Sequence, residues 1–247
     1  MTNPLKIVAL IPARLESTRM HQKLLRVLEG KTIIMHTYQA VSQSGLFDEV
    51  IVVCDHPLLY DEVIRQGGKA MMSSPHHQSG SDRIAEAAAQ IQADIIVNIQ
   101  GDEPFISPEA MQALLALFKN EQVQIASLKQ KISDQESLHN PSVVKVVCDL
   151  QGRALYFSRS PIPYVRELMP DTTHYKHIGV YGFRKETLMA FTTLPPTMLE
   201  QTEKLENLRM LEQGLYIHLA EIQHIGISID TEEDFQKAQD YLKKIKQ

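Results

Sequence analysis

Apolar residues reach this chain in short blocks separated by polar turns. The blocks alternate between a continuous or two-residue pattern and a helical one. Residues 7–11 (IVALI) form an unbroken apolar run, the mark of a strand covered on both faces as in a parallel sheet. Pro12 is expected to stop it, because proline has no N–H for the ladder. Thr32 stands before a helix with Ile34, Tyr38 and Val41 on one face, closed by Gly45. Residues 50–53 predict a second parallel strand, with a turn at Asp55, His56 and Pro57. A short helix over 59–66 ends at Gly67 and Gly68. A third strand is expected at 69–73, a helix opened by Ser81 and Asp82 with Ile84, Ala88 and Ile91 on one face, and a fourth strand at 94–99. Ser107, Pro108 and Glu109 are a strong helix start, with Met111, Leu114, Leu115 and Phe118 as its buried stripe.

This alternation predicts an α/β fold with a mostly parallel central sheet flanked by helices. The rhythm changes near residue 120. Strands are expected at 123–131, 143–148, 154–157 and 178–183 without regular helices between them, with a turn over 149–153. A helix over 200–212 with Leu205, Leu208 and Leu211 inward, a strand at 215–221 and a helix over 231–244 with Phe235, Ala238 and Leu242 on one side complete the pattern. No repeat, low-complexity tract or linker interrupts it. The expectation is one domain over 1–247, with a first part to about residue 120 and a smaller mixed lobe over about 121–247.

Composition narrows the function classes. The chain has 247 residues, 43% hydrophobic and 22% charged, with a formal net charge of −5, which argues against general nucleic-acid binding. The first 31 residues run the other way: Lys6, Arg14, Arg19, Lys23, Arg26 and Lys31 against Glu16 and Glu29 give +4. A cationic loop after the first strand, on an acidic protein, suits a small anionic ligand at the carboxyl edge of the sheet. Cys54 and Cys148 end apolar runs and match no zinc or disulfide pattern, which predicts reduced thiols. With no secretory h-region and no apolar run of membrane-spanning length, a cytoplasmic protein without membrane insertion is expected.

The loop is not a standard phosphate device. After the first strand the chain reads Pro12-Ala13-Arg14-Leu15-Glu16-Ser17, without the glycines of a dinucleotide fold. Gly30, Lys31 and Thr32 resemble a P-loop tail, but Leu25 stands where its first glycine belongs. What remains is a grip made of side chains. Arg14, Arg19 and Lys23, helped by Ser17, Thr18 and backbone N–H groups, suit a triphosphate. Asn98-Ile99-Gln100-Gly101-Asp102-Glu103-Pro104 falls on the same sheet edge. There Asp102 can hold a magnesium ion bridging phosphates, and Gln100 can meet a base or sugar edge; a plain strand-to-helix turn is the alternative. If Thr231 and Asp234 cap the last helix, Asp230 is left as a second metal carboxylate. His76 and His77 read most simply as a polar loop. His174 and His177 lack a third zinc ligand.

Together these stretches resemble the 3-deoxy-manno-octulosonate cytidylyltransferase (CMP-KDO synthetase) family. The resemblance spans the chain: Ile11-Pro12-Ala13-Arg14, Ser17-x-Arg19-x-x-x-Lys23, His77-Gln78-Ser79-Gly80-Ser81-Asp82-Arg83, the turn through Asp102, Asn140-Pro141, Val144-Lys145-Val146-Val147, Phe157-Ser158-Arg159, His177-Ile178-Gly179-Val180-Tyr181 and Glu203-x-Leu205-Glu206-x-Leu208-Arg209. It implies a nucleotide-diphospho-sugar transferase-like fold. CTP phosphates would lie against Arg14, Arg19 and Lys23, and the cytidine against Gln100 and the Ser79–Asp82 loop, which includes Gly80; Arg83 would be a further substrate-binding residue. The sugar acid KDO would meet Arg159, His177, Tyr181, Glu206 and Asn207. Mg²⁺ on Asp102 and Asp230, a role in lipopolysaccharide biosynthesis and a homodimer built through the second part are also implied. A related acidic sugar, such as an 8-amino or sialic-acid-like one, and a catalytically impaired nucleotide-binding relative are the alternatives. The chain departs from the family at the basic loop. The usual Arg-x-Pro-Gly-Lys-Pro-Leu reads Arg19-Met20-His21-Gln22-Lys23-Leu24-Leu25. In the late helix, Asn207 replaces a glutamine.

Overall fold

The computed structural model describes residues 5–17, 20–77, 79–167, 172–223 and 226–245. They fall into two compact units, Met1–Met111 with Ile225–Gln247, and Gln112–His224. The first holds strand β1 (Ile7–Ala13), a two-stranded hairpin β2 (Val27–Leu28) and β3 (Lys31–Thr32), helix α1 (Ile33–Gln43), β4 (Glu49–Cys54), α2 (Pro57–Arg65), β5 (Ala70–Met72), α3 (Gly80–Ala89), β6 (Ile95–Asn98) and the start of α4 (Pro108–Ala116). Its sheet runs β6-β1-β4-β5, all parallel. Val8, Ala9, Leu10 and Ile11 of the central strand are fully buried, as are Val52, Val53, Ile95, Ile96 and Val97 beside it. That two-faced burial is why these strands read as unbroken apolar runs.

Several boundaries move. β1 runs through Pro12 to Ala13 instead of stopping at the proline. Leu10 turns its carbonyl toward β6, accepting from Ile99 N–H, and Pro12 faces the same way two residues on. Pairing with β6 ends at Leu10, so the absent N–H of Pro12 points where no ladder partner is needed. Helix α3 begins earlier than expected, with Ser79 as its cap: the hydroxyl accepts from Asp82 N–H at 3.1 Å. Thr32 starts α1 without capping it through its side chain, which instead donates to Glu62. His56, read as a plain turn residue, caps α2 by accepting from Leu58 N–H.

The second unit holds β7 (Ile125–Lys131), α5 (Gln135–His139), β8 (Lys145–Cys148), β9 (Ala154–Ser158), β10 (Tyr175–Arg184), α6 (Lys185–Phe191), α7 (Met198–Glu203), α8 (Glu206–Glu212) and β11 (Ile217–Ile222). β11 lies parallel to β7, and β7-β10-β8-β9 pair antiparallel in turn. The β8–β9 turn is held by Asp149, whose carboxylate accepts from Gln151 N–H, Arg153 N–H and Arg153 Nε. The helix expected over 200–212 is two helices. Lys204 adopts a left-handed φ of 55° that breaks it, and Met210, rather than Leu211, faces inward. Arg209 then clasps Glu200 across the break with bonds of 2.7 and 2.8 Å.

The final helix α9 (Glu232–Ile245) belongs to the first unit, so the second part does not run to the carboxyl end as the sequence pattern suggested. Its cap is reciprocal: Asp234 accepts from Thr231 N–H and Thr231 Oγ1, while Thr231 Oγ1 accepts from Asp234 N–H. The segment leading to it passes Phe105 so closely that a Cβ on Gly226, at φ 123°, would lie 2.0 Å from the Phe105 carbonyl oxygen. Both the angle and the contact require glycine. Gly226→Ala is expected to destabilise the protein by roughly 2 kcal/mol or more, measured by urea denaturation.

Candidate functional site

The site in the first unit grows out of the carboxyl ends of its strands. After β1, Arg14 is exposed and has no partner among the described residues, while Leu15 N–H is fixed to Asp55 at 2.9 Å. Farther on, Gln22 takes a left-handed conformation (φ 46°, ψ 42°) and starts the 3₁₀ turn Lys23–Leu25. The turn directs Lys23 inward until the residue is 8% exposed. Its ammonium donates to Asp102 Oδ2 at 2.5 Å and Asp230 Oδ1 at 2.9 Å. Burial depresses the Lys23 pKa, but the two carboxylates outweigh burial, and the net result is a raised value and a fixed positive charge.

Each partner is held from behind. Asp102 follows β6 in a turn whose Gly101 carbonyl accepts from Thr37 Oγ1 at 2.8 Å, and whose Asp102 carbonyl accepts from Ile229 N–H at 3.0 Å. Asp230 sits just before the self-capped end of α9, so its carboxylate is not the helix cap. Arg26 adds a second tie, pairing with Glu232 and lying 4.1 Å over the Phe235 ring.

These groups line a cavity of about 490 Å³, a size that holds a small-molecule ligand. Arg14, Ser17, Lys23, Ser79, Gly80, Arg83, Gln100, Asp102 and Asp230 all form its wall. Arg19 and Thr18 lie outside the described residues. His77, set aside on sequence grounds as a polar loop residue, is also in the wall, with its Nε2 on Glu86, which in turn accepts from Ser74 N–H at 2.9 Å. His77 pairing lowers the pKa of Glu86. Nothing in the spacing of Glu86 singled it out: it is one acidic residue on a helix, and only folding brings it to His77.

Asp102 and Asp230 converge on one small cation, and both offer hard oxygen donors, so the pair fits a magnesium ion shared with substrate phosphates. No group of three or more His, Cys, Asp or Glu able to hold a metal occurs among the described residues.

The residues assigned to a sugar acid lie in the second unit. On the sheet face His177 meets Phe157 edge-to-face and Tyr181 at a tilt, with ring centroids 4.9 and 5.3 Å apart. The β7–β10 register slips between Ile178 and Tyr181, and Ser127 Oγ fills the gap, 3.1 Å from Ile178 O and 2.8 Å from Val180 O. Carbonyls only accept, so the serine proton goes to one of them. His177 Nε2–H therefore donates to Ser127 at 2.9 Å, and because burial disfavours the imidazolium the ring is neutral, with Nδ1 as an acceptor. Burial drives its pKa down to about 3. Burial, then Glu206, push the Tyr181 phenol up, and Asn207 bonds to it. Among the described residues the buried Oδ1 of Asn207 has no partner, so an acceptor is on offer beside a phenol. Arg159 is also engaged by the protein: its Nε, Nη1 and Nη2 reach the carbonyls of Glu203, Pro141 and Lys204. It closes the carboxyl end of α7, and two of its five N–H groups remain for an anion.

The cytidylyltransferase family model matches residues 8–239. A 3-deoxy-manno-octulosonate cytidylyltransferase of Flavobacterium johnsoniae is 49% identical over 244 residues, covering 98% of this chain and 100% of its own. One from Christiangramia forsetii is 45% identical over 240 residues, covering 96% and 97%. A solved CMP:2-keto-3-deoxy-manno-octonic acid synthetase complexed with CTP is 38% identical with a TM-score of 0.93, covering 97% of this chain and 99% of its own. A 4-diphosphocytidyl-2C-methyl-D-erythritol synthase from Anaerococcus prevotii, 17% identical with a TM-score of 0.66 over 97% of this chain and 99% of its own, shares the fold.

Gln22→Gly removes a left-handed strain of roughly 1–2 kcal/mol, offset in part by the freedom glycine adds to the unfolded chain. A net gain of about 0.5–1 kcal/mol in urea denaturation is expected. His177 supplies a pH test. Its folded pKa of about 3 lies below the ordinary 6.5, so below pH 6.5 the unfolded chain binds a proton that the native state refuses. Stability should therefore fall as pH drops from 6.5, by up to about 1.4 kcal/mol per unit. His177→Gln, which can still donate to Ser127, should lose that one-proton slope between pH 6.5 and 4.5.

Proposed function

This chain belongs to the 3-deoxy-manno-octulosonate cytidylyltransferase family, and we propose that it transfers CMP from CTP to the anomeric hydroxyl of KDO. The products are CMP-KDO and pyrophosphate, and the reaction activates KDO for lipopolysaccharide biosynthesis. We place the enzyme in the cytoplasm as a homodimer. Among the described residues no helix is long and apolar enough to cross a membrane.

The observation that carries this reading is the floor of the first unit's cavity, where a buried lysine is held between two aspartates while Arg14 stands exposed on the wall. Arg14 and Lys23 match the charge of a triphosphate, and Arg19 is assigned to the same grip. Gln100 and the loop carrying Ser79 and Gly80 offer donors and acceptors to the cytidine. In the second unit, the neutral His177, the Tyr181 phenol, Glu206 and the open Oδ1 of Asn207 provide hydrogen-bonding groups for a polyhydroxylated ring. The two remaining N–H groups of Arg159 face the requirement of its carboxylate. The sugar hydroxyl attacks the α-phosphorus in line, and pyrophosphate leaves. Fixed cations stabilise the charge on the phosphoryl oxygens, so the protein contributes chiefly position and field. Asp102 and Asp230 are the residues that would hold Mg²⁺, which when bound supplies further charge neutralisation at the phosphates.

The experiment is pyrophosphate release from CTP with Mg²⁺ and a panel of sugar acids. KDO is expected to outperform an 8-amino analogue and a sialic acid; no release with any of them would overturn the assignment. Asp102→Asn should cut turnover with KDO by at least about a hundredfold with the fold intact by circular dichroism. Undiminished turnover would remove Asp102 from the reaction.

A further inference from the structure

Asp55 does not itself line the cavity, yet it stands behind the wall where three strand ends of the first unit meet. Its side chain is 15% exposed. Oδ1 accepts from Leu15 N–H at 2.9 Å, at the root of the loop that carries Arg14 and Ser17. Oδ2 pairs with Arg83 Nη2 at 3.4 Å. The other amine of that guanidinium, Nη1, donates to Ser73 Oγ at 2.7 Å and to Ser74 O at 3.4 Å. Ser73 is tied back to Cys54 O, the residue before Asp55, through both its N–H at 2.8 Å and its hydroxyl at 3.1 Å. The network therefore closes on itself, from the end of β4 to the loop after β1, to the loop after β5, and to the first turns of α3.

This closure has a chemical consequence for Arg83. The side chain is 6% exposed and lies in the cavity wall. Three of its five N–H groups are engaged as described, which leaves Nε–H and one Nη2–H for a ligand. A planar guanidinium pinned on one edge by a carboxylate and a hydroxyl has a fixed direction for its free edge. The same carboxylate sets the backbone from which Arg14 projects. We propose that Asp55 is a positioning residue for the nucleotide triphosphate: it aims Arg83 and anchors the Arg14 loop together, so that one group aligns two cations. This inference rests on the reading of the cavity as the CTP site.

The sign of the effect separates this role from a simple charge effect. Asp55 is an anion behind a site for a polyanion. If only its charge mattered, Asp55→Asn would tighten CTP by removing a repulsion. If its position matters, Asp55→Asn weakens CTP, because the isosteric amide keeps an acceptor for Leu15 N–H but releases Arg83. Asp55→Glu keeps the charge and displaces it by one methylene, so it should be impaired as well. The measurements are CTP affinity by calorimetry and the KM values for CTP and KDO in the Mg²⁺-containing assay. Both variants are expected to weaken CTP, in Kd and in KM, by roughly tenfold, with the KM for KDO within twofold of wild type. Unchanged or tighter CTP binding in Asp55→Asn overturns the proposal. So does an equal rise in both KM values, or a failure of both variants to fold, which would assign Asp55 to structure alone. Absence of CTP binding by the wild-type protein would instead remove the underlying reading, and the proposal with it.

Discussion

A buried ammonium held by two carboxylates is the constraint on which the first unit depends. Lys23, Asp102 and Asp230 are separated by 79 and 207 residues in sequence, and their charged atoms meet within 2.9 Å. An unpaired lysine at this depth would carry a desolvation penalty of several kcal/mol. The carboxylates remove that penalty only if the loop after β1, the turn after β6 and the segment before α9 all arrive in register. Much of the surrounding structure serves that arrival. Thr37 holds Gly101, Ile229 N–H holds Asp102, Gly226 lets the chain pass Phe105, and Thr231 and Asp234 cap each other so that Asp230 is left to face Lys23.

The same arrangement explains the cavity's electrostatics. Positive and negative groups are interleaved: Lys23 stands against Asp102 and Asp230, Arg83 is backed by Asp55, and His77 is backed by Glu86. Arg14 alone in this set has no described partner. A strongly charged ligand therefore meets one open cation and several directed ones, instead of a diffuse positive surface. That is consistent with a protein whose formal net charge is −5.

In the second unit the governing device is a slip in a ladder. The irregularity between Ile178 and Tyr181 turns two carbonyls toward Ser127, while His177 and Tyr181 stay on one face. A regular strand would alternate, and residues 177 and 181 would still share a face, but the carbonyls of 178 and 180 would belong to the ladder. Ser127 Oγ meets them instead, and through them fixes the tautomer of His177.

The sequence by itself determined the parallel strands of the first unit, the start of α4 at Ser107-Pro108-Glu109, the cationic loop after β1, and the candidacy of Asp102 and Asp230. These are local facts: apolar runs, caps and clustered charge are written within a few residues of where they act. It could not determine that β1 continues through Pro12, because that depends on β6 ending beside it. It left α7 and α8 as one helix, since lysine carries no sign of a left-handed angle. It gave no role to Asp55 or Glu86, which act only by meeting residues 28 or 40 positions, and 9 or 12 positions, away. Above all, the pattern showed two aspartates and a lysine as separate candidates. Only the tertiary structure made them one site, because the pairing of a buried charge is decided by which chain ends the fold brings together, and no local propensity encodes that meeting.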